Sequence, residues 1–274
     1  MNIGEAIRDA ARRLATTSDT ARLDAELLMA HALGVVRSEL LLRHMQHEAP
    51  AHFAALVERR ARREPVAYIV GHQEFFGLRF AVAPGVLIPR ADSENVVEAA
   101  LKAAPDARSI LDLGTGPGTL LLTVLSQLPA ATGRGIEASS DALALARRNA
   151  EALGLVDRAQ FARGDWTQPG WADDLGCFDL VIANPPYVEK SADLDPDVRD
   201  FEPAEALFAG PEGLDDYRII VPQLPQLLTK NGVAVLEIGA TQAEAIGKIA
   251  REQGFTIITK QDLGGRDRAV VLHY

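Results

Sequence analysis

The sequence holds one cysteine, Cys177, among 274 residues. Without a second thiol, neither an intramolecular disulfide nor a multi-cysteine zinc site can form, which is the usage of a reducing compartment. Cys177 itself, next to Gly176 and just before an apolar run, is expected to pack as a small hydrophobe. Long apolar stretches are also missing, since no run approaches the roughly 18 residues of a membrane span. The first residues lack the apolar centre of a signal peptide, and Glu5 and Asp9 stand where a transit peptide avoids acids. These absences predict a soluble, cytoplasmic protein with no membrane partner. An excess of positive charge is absent too, because the formal net charge is −10. It is unevenly spread: residues 1–70 carry 10 Arg/Lys against 9 Asp/Glu, and the remainder 18 against 29. An acidic body argues against a firm, sequence-independent grip on phosphate backbones, so no stable nucleic-acid binding is expected. A protein or small-molecule substrate fits better.

What is present is the composition of a globular chain, 47% hydrophobic and 24% charged. Its length suits one full domain plus a smaller one. Apolar residues recur at helical spacing from residue 3 to 63, as in "TARLDAELLMAHALG" and "HFAALVERRARRE", and Pro65 closes the last helix. Residues 1–71 therefore read as a small all-helical domain. "LRFAVAPGVLIPR" alternates Leu78, Phe80 and Val82, turns at Pro84-Gly85 and continues to Ile88, so 72–90 is expected to be a linking β-hairpin. From 91 to 274 helices and strands alternate. Strands are expected at 109–113, 132–137, 159–163, 178–183 and 232–237, with two closing strands near 255–260 and 268–273. Helices are expected at 93–104, 117–128, 140–153, 214–229 and 241–253, and a long loop at 188–212. This order implies an α/β fold: a Rossmann-like, mostly parallel sheet with helices on both faces and ligands beyond the carboxyl ends of its strands.

Four stretches fall at those strand ends. "ILDLGTGPGTLLL" runs a buried strand through Gly114, Gly116 and Gly118 into a helix, letting a ligand approach bare backbone. A structural turn is the alternative. Thr119 stands where the dinucleotide fingerprint wants Gly or Ala, which favours S-adenosylmethionine over a nicotinamide cofactor. Glu137 closes the next strand and can accept hydrogen bonds from both hydroxyls of a ribose. Asp165 and Trp166, in "ARGDWTQ", offer an acceptor and a flat apolar face to an adenine, although a core tryptophan would look the same.

The fourth stretch, "VIANPPYV", ends a strand at Asn184 and follows it with two prolines and Tyr187. An amide or aromatic amino nitrogen is a poor nucleophile because its lone pair is delocalised. The Asn184 side-chain oxygen and the Pro185 carbonyl can accept its two N–H bonds and leave the lone pair aimed at an electrophilic carbon. The same acceptors favour the positive charge that develops on that nitrogen. Tyr187 can stack on the planar group, so its ring rather than its hydroxyl is the expected contributor.

"DLGTGPG" together with "NPPY" resembles a class I S-adenosylmethionine-dependent methyltransferase acting on a planar nitrogen. "REPVAYIVG" with "EFFGLRF", "LIPRADSE", "FEPAEAL" and the N-terminal "DAELL" narrow this. Together they resemble the protein-(glutamine-N5) methyltransferase family of peptide chain release factors, over nearly the whole chain. Ala91 and Ser93 depart from the commoner proline and threonine, and Glu137 stands where Asp is also common. The resemblance implies methylation of the glutamine of the Gly-Gly-Gln loop of class 1 release factors, and the chain is expected to act as a monomer. It assigns cofactor contact to Gly114, Thr115, Gly116, Pro117, Gly118, Glu137, Trp166 and Asn184. It assigns substrate contact to Asn184, Pro185, Pro186 and Tyr187, with Asn184, Pro185 and Tyr187 forming the catalytic corner, and it implies no metal.

Other groups carry less. His31, His44, His47 and His52 match no zinc spacing and read as surface residues. Arg59, Arg60, Arg62 and Arg63 read as a solvated basic face. The competing functions are methylation of a ribosomal-protein glutamine or of a nucleic-acid base, and a binding module that keeps the fold without the chemistry.

Overall fold

The computed structural model describes all 274 residues. Two compact units form: Met1–His72 with Leu194–Glu202, and Gln73–Asp193 with Pro203–Tyr274. In the first, helices span Ile3–Leu14, Ala21–Leu33, Phe53–Ala61 and Val66–Val70. Asn2 and Glu5 cap the first helix reciprocally, side chain to backbone in both directions, which satisfies two otherwise unpaired donors. Its buried stripe Ile3, Ile7, Ala10 and Leu14 packs with Leu28, Met29, Phe53 and Val57. The arginine run is not the solvated face expected. Arg60 is buried, 2.6 Å from Asp24 and 2.6 Å from Asp197. Arg63 pairs with Asp197, while Arg59 and Arg62 stay exposed, each paired with a glutamate, Glu64 and Glu58. Asp197 belongs to the segment 194–202, which explains how that piece of the long loop joins the helical unit.

From His72 onward β1 (His72–Phe75) and β2 (Leu78–Ala81) make a two-stranded sheet, all but its first residue in the second unit. The expected hairpin is displaced toward the N-terminus, because it turns at Phe76 (φ 52°) and Gly77 (φ 72°) rather than at Pro84-Gly85. Two successive left-handed residues give the tight turn that suits twisted strands. Residues 82–90 are not strand, since Pro84 and Pro89 supply no N–H to a ladder. Phe75 and Phe80 sink into the main core.

That core surrounds β3 (Ser109–Leu113), β4 (Thr132–Glu137), β5 (Ala159–Arg163), β6 (Phe178–Ala183), β7 (Leu228–Glu237), β8 (Thr256–Gln261) and β9 (Asp267–His273). The order is β5-β4-β3-β6-β7-β9-β8, with β9 antiparallel to β7 and β8 and the other pairs parallel. Alternate residues serve opposite layers, as strand geometry requires. Ile110, Leu180, Ile182, Val233 and Val235 face helices Glu94–Ala103 and Thr119–Gln127. Leu111, Leu113, Val181, Ala183, Ala234 and Leu236 face Tyr217, Ile220, Leu224, Ile246 and Ala250. The first four strands of the sheet keep the boundaries read from sequence. The expected helix 214–229 is broken into Asp215–Ile220, a 3-10 turn Val221–Gln223 and Leu224–Leu227, because Pro222 and Pro225 lack the N–H that would continue it. The strand expected at 232–237 begins four residues earlier, with an irregularity between its pairs to Phe178 and Leu180. Cys177 is exposed, its Sγ 3.4 Å from the Gln226 carbonyl, since it lies in the turn that feeds β6 and not in the strand. No helix is long and apolar enough to cross a membrane.

Candidate active site

A cavity of about 590 Å³ opens at the carboxyl ends of β3, β4, β5 and β6. From β3 the chain goes on to β4 and from β6 to β7, on opposite sides, so the crevice lies at the switch point of the sheet. Gly114, Thr115, Gly116 and Pro117 line it, while Gly118 turns the chain into the following helix with φ 84°. Gly114 has φ 68°, and a Cβ there would meet the Trp166 ring at 2.9 Å. The loop is thus glycine both for its handedness and for the indole against it.

The loop is built on two carboxylates. Asp112, buried in β3, accepts Thr115 Oγ1 at 2.6 Å and the Leu121 N–H at 3.3 Å on one oxygen. Its other oxygen is buried without a partner. Burial pushes its pKa up to about 7 against the two bonds, and the Glu137 charge raises it further. Glu137 accepts the Gly116 N–H and the Ser139 N–H, one on each oxygen, both at 2.9 Å. Each oxygen keeps a lone pair for a further donor, which leaves the expected ribose contact open.

Trp166 lies partly against the core and partly on the cavity, its Nε1 2.7 Å from Asp216 Oδ1. Burial raises Asp216, and the indole bond partly offsets this. Asp165 also lines the cavity, but one oxygen is taken by the Thr167 side chain and backbone at 2.6 and 2.9 Å, and these bonds hold its pKa down. Asp216 is the better acceptor seated at the indole edge.

Asn184 and Pro186 reach the cavity, whereas Pro185 is buried and Tyr187 packs in the layer beneath it. Asn184 Nδ2 lies 3.4 Å from Ser93 Oγ. The Tyr187 hydroxyl is 3.3 Å from Glu237 Oε1, and burial and that carboxylate raise its pKa. Gln242 Nε2 bonds the Tyr187 carbonyl at 3.0 Å and the Gly213 carbonyl at 3.1 Å, while its Oε1 accepts the Gly239 N–H. The loop after Tyr187 is tied back as well, through Val188 N–H to Leu207 O and Ala209 N–H to Val188 O. Sequence reasoning gave no role to Asp112, Asp216, Glu237 or Gln242. An acid inside an otherwise apolar strand, in "ILDL" and "AVLEIG", is a legible sign for two of them.

This sheet order, with a glycine loop after its first central strand and an acid ending the next, defines a class I methyltransferase fold whose cofactor is S-adenosylmethionine. Residues 5–71 match the PrmC N-terminal domain and residues 105–264 a methyltransferase domain. The release factor glutamine methyltransferase of Caulobacter vibrioides is 43% identical over 92% of this chain and 89% of its own length. That of Moorella thermoacetica is 40% identical over 100% and 99%. The chain belongs to the release factor glutamine methyltransferase family. Among solved structures, an O-methyltransferase family protein from Burkholderia thailandensis shares the fold with a TM-score of 0.52 at 14% identity, over 95% of this chain and 96% of that one. A methyltransferase from Pyrococcus furiosus has a TM-score of 0.53 at 16% identity, over 72% and 89%.

Proposed function

We propose that this chain methylates the side-chain amide nitrogen of the glutamine in the Gly-Gly-Gln loop of class 1 peptide chain release factors, acting as a cytoplasmic monomer. S-adenosylmethionine, when bound, supplies an electrophilic methyl group on a sulfonium. The cavity fits such a group: bare backbone at Gly114 and Gly116, a flat indole, a ribose-type acceptor at Glu137, and an unpartnered carboxylate oxygen of Asp112 suited to a cationic ligand. Asn184 carries the chemistry. With its NH2 turned to Ser93, its Oδ1 is left to accept from a planar substrate amide, and the Pro185 carbonyl is the second acceptor of the corner. Held between the two, the amide keeps its lone pair in line with the methyl carbon, and positive charge growing on nitrogen meets acceptor dipoles. Pro186 walls the corner, and the Tyr187 backbone is fixed by Gln242.

The observation that supports this reading is the position of Asn184 at the mouth of the cavity, on the strand beside the glycine loop. Its test is isotope-labelled methyl transfer from S-adenosylmethionine to a purified release factor, a ribosomal protein and duplex DNA, with mass spectrometry locating the label. The expected result is label on the release-factor glutamine alone. Label on another protein or on a base, with none on the release factor, defeats it.

A further inference from the structure

Asn149 is a polar side chain at 0% exposure in helix Ser140–Ala152, and it lines no cavity. Every bond its amide makes leaves the helix. Its Oδ1 accepts the Ala81 N–H at 2.8 Å, and its Nδ2 donates to the Ala81 carbonyl at 3.2 Å and to the Pro117 carbonyl at 2.8 Å. Both protons and the oxygen are engaged, and one setting of the amide allows it. Reversed, N–H would face N–H and oxygen would face two carbonyls. To Ala81, at the end of β2, the amide is what the peptide of a neighbouring strand would be, a partner for N–H and C=O at once. To Pro117 it replaces a helical bond. The Leu121 N–H, four residues on, is spent on Asp112, and Asn149 supplies the donor instead.

The two segments so joined are walls of the cofactor cavity. Pro117 belongs to the glycine loop, and Ala81 leads into residues 85–90. The same face of the helix continues the contact. Leu145 and Ala142, one and two turns before Asn149, pack with Val86, and the Ala146 methyl stands where a Cβ on Gly118 would meet it at 3.4 Å. Ser140 and Ala142, in the first turn, line the cavity beside Glu137.

We infer that Asn149 is a positioning residue for S-adenosylmethionine, fixing the separation between the glycine loop and the 82–90 wall without touching the ligand. Neither segment is helix or strand, so neither has a ladder of its own to hold it. Their places depend on bonds from outside. Releasing both at once lets the walls part, and the order lost must then be restored at the expense of binding.

The inference rests on the cofactor lying over the glycine loop, and the experiment separates the two. Calorimetric affinity for S-adenosylmethionine is measured on the full chain for Asn149→Ala, Asn149→Asp, Ile246→Ala and Gly114→Ala, at a temperature where circular dichroism shows each variant folded. Thermal midpoints, and single-turnover transfer to a release factor at saturating S-adenosylmethionine, are measured beside it. Alanine favours the helix and removes all three bonds, so Asn149→Ala should fold and bind about tenfold more weakly. Aspartate keeps the shape and the bond from Ala81 N–H but sets oxygen against two carbonyls, so Asn149→Asp should bind more weakly still. If it fails to fold, Asn149→Ala decides alone. At saturation the Asn149 variants should transfer within about threefold of the unsubstituted chain, because Asn184 lies beyond β6 and keeps its own supports. Ile246→Ala, which hollows the core on the other face of the sheet, should lower the midpoint and leave affinity unchanged. Affinity within about twofold for Asn149→Ala while Gly114→Ala binds weakly overturns the inference alone. So does a loss of affinity that merely follows the midpoint, Ile246→Ala included, or a saturated rate that falls as far as affinity does. Unchanged affinity in Gly114→Ala overturns the cofactor placement beneath it.

Discussion

Asn184→Ala removes one of two acceptors and part of the alignment, so turnover should fall on the order of a hundredfold. Cofactor affinity should move little, because Glu137, Trp166 and the glycine loop lie on other strands. Calorimetry beside single-turnover kinetics tests both halves, and an equal loss in the two would make Asn184 a binding residue only. Gly114→Ala has the opposite signature. It forces a side chain into φ 68°, costing about 1–2 kcal/mol, and drives a methyl against the Trp166 ring. Affinity for S-adenosylmethionine should weaken roughly tenfold or more, and unchanged affinity would mean that the loop is not the cradle. Most residues of this site were legible in sequence because glycine, proline and asparagine at strand ends act through local geometry. Asp216, fifty residues from Trp166, and Glu237, fifty from Tyr187, were not, because their partners are set by tertiary packing. The Tyr187 hydroxyl was set aside for the same reason.

Elements that obey one period were read well and those interrupted by proline were not. β3 and β6 are apolar runs that stop at the first turn residue, whereas Pro222 and Pro225 divide a stretch whose apolar spacing looks like one helix. The displaced hairpin has a consequence for dissection. Phe75 and Phe80 belong to the core of the methyltransferase unit, the Phe76 N–H bonds Glu94 at 2.8 Å, and Gly85 to Arg90 form one wall of the cavity. A fragment starting near Asp92 removes all of these. One starting at Gln73 keeps them. The longer fragment should therefore bind S-adenosylmethionine and the shorter should not, while both methylate an intact release factor poorly if residues 1–71 serve its recognition. Equal cofactor binding by the two fragments would show the hairpin to be dispensable, and full transfer by the longer one would refute a recognition role for the helical unit.

Across the whole molecule the buried acids set how stability responds to pH. Asp112 and Glu237 are each raised by burial to about 7, and Asp216 is raised as well. The unfolded chain releases those protons near 3.8 for aspartate and 4.5 for glutamate, so between there and about 7 the folded state binds more protons. Stability must then fall as pH rises, by at most about 1.4 kcal/mol per pH unit for each group, and level off above 7. Below that window other carboxylates act in the opposite sense. Burial pushes Asp179 up, but N–H bonds from Arg108 and Ser109 outweigh it, and Glu26 is likewise held down by Arg22 and Arg37. Their contribution is complete above the unfolded values and is lost as pH falls through the folded ones. A net charge of −10 adds self-repulsion on the alkaline side. The cofactor-free protein should accordingly be most stable near pH 5, with thermal midpoints declining toward pH 7.5. Asp112→Asn and Glu237→Gln should each flatten that decline. Thermal denaturation between pH 4.5 and 8 decides it: midpoints that climb steadily to pH 8, or a full slope retained in both variants, would mean that these two acids are ionised in the folded chain throughout the range.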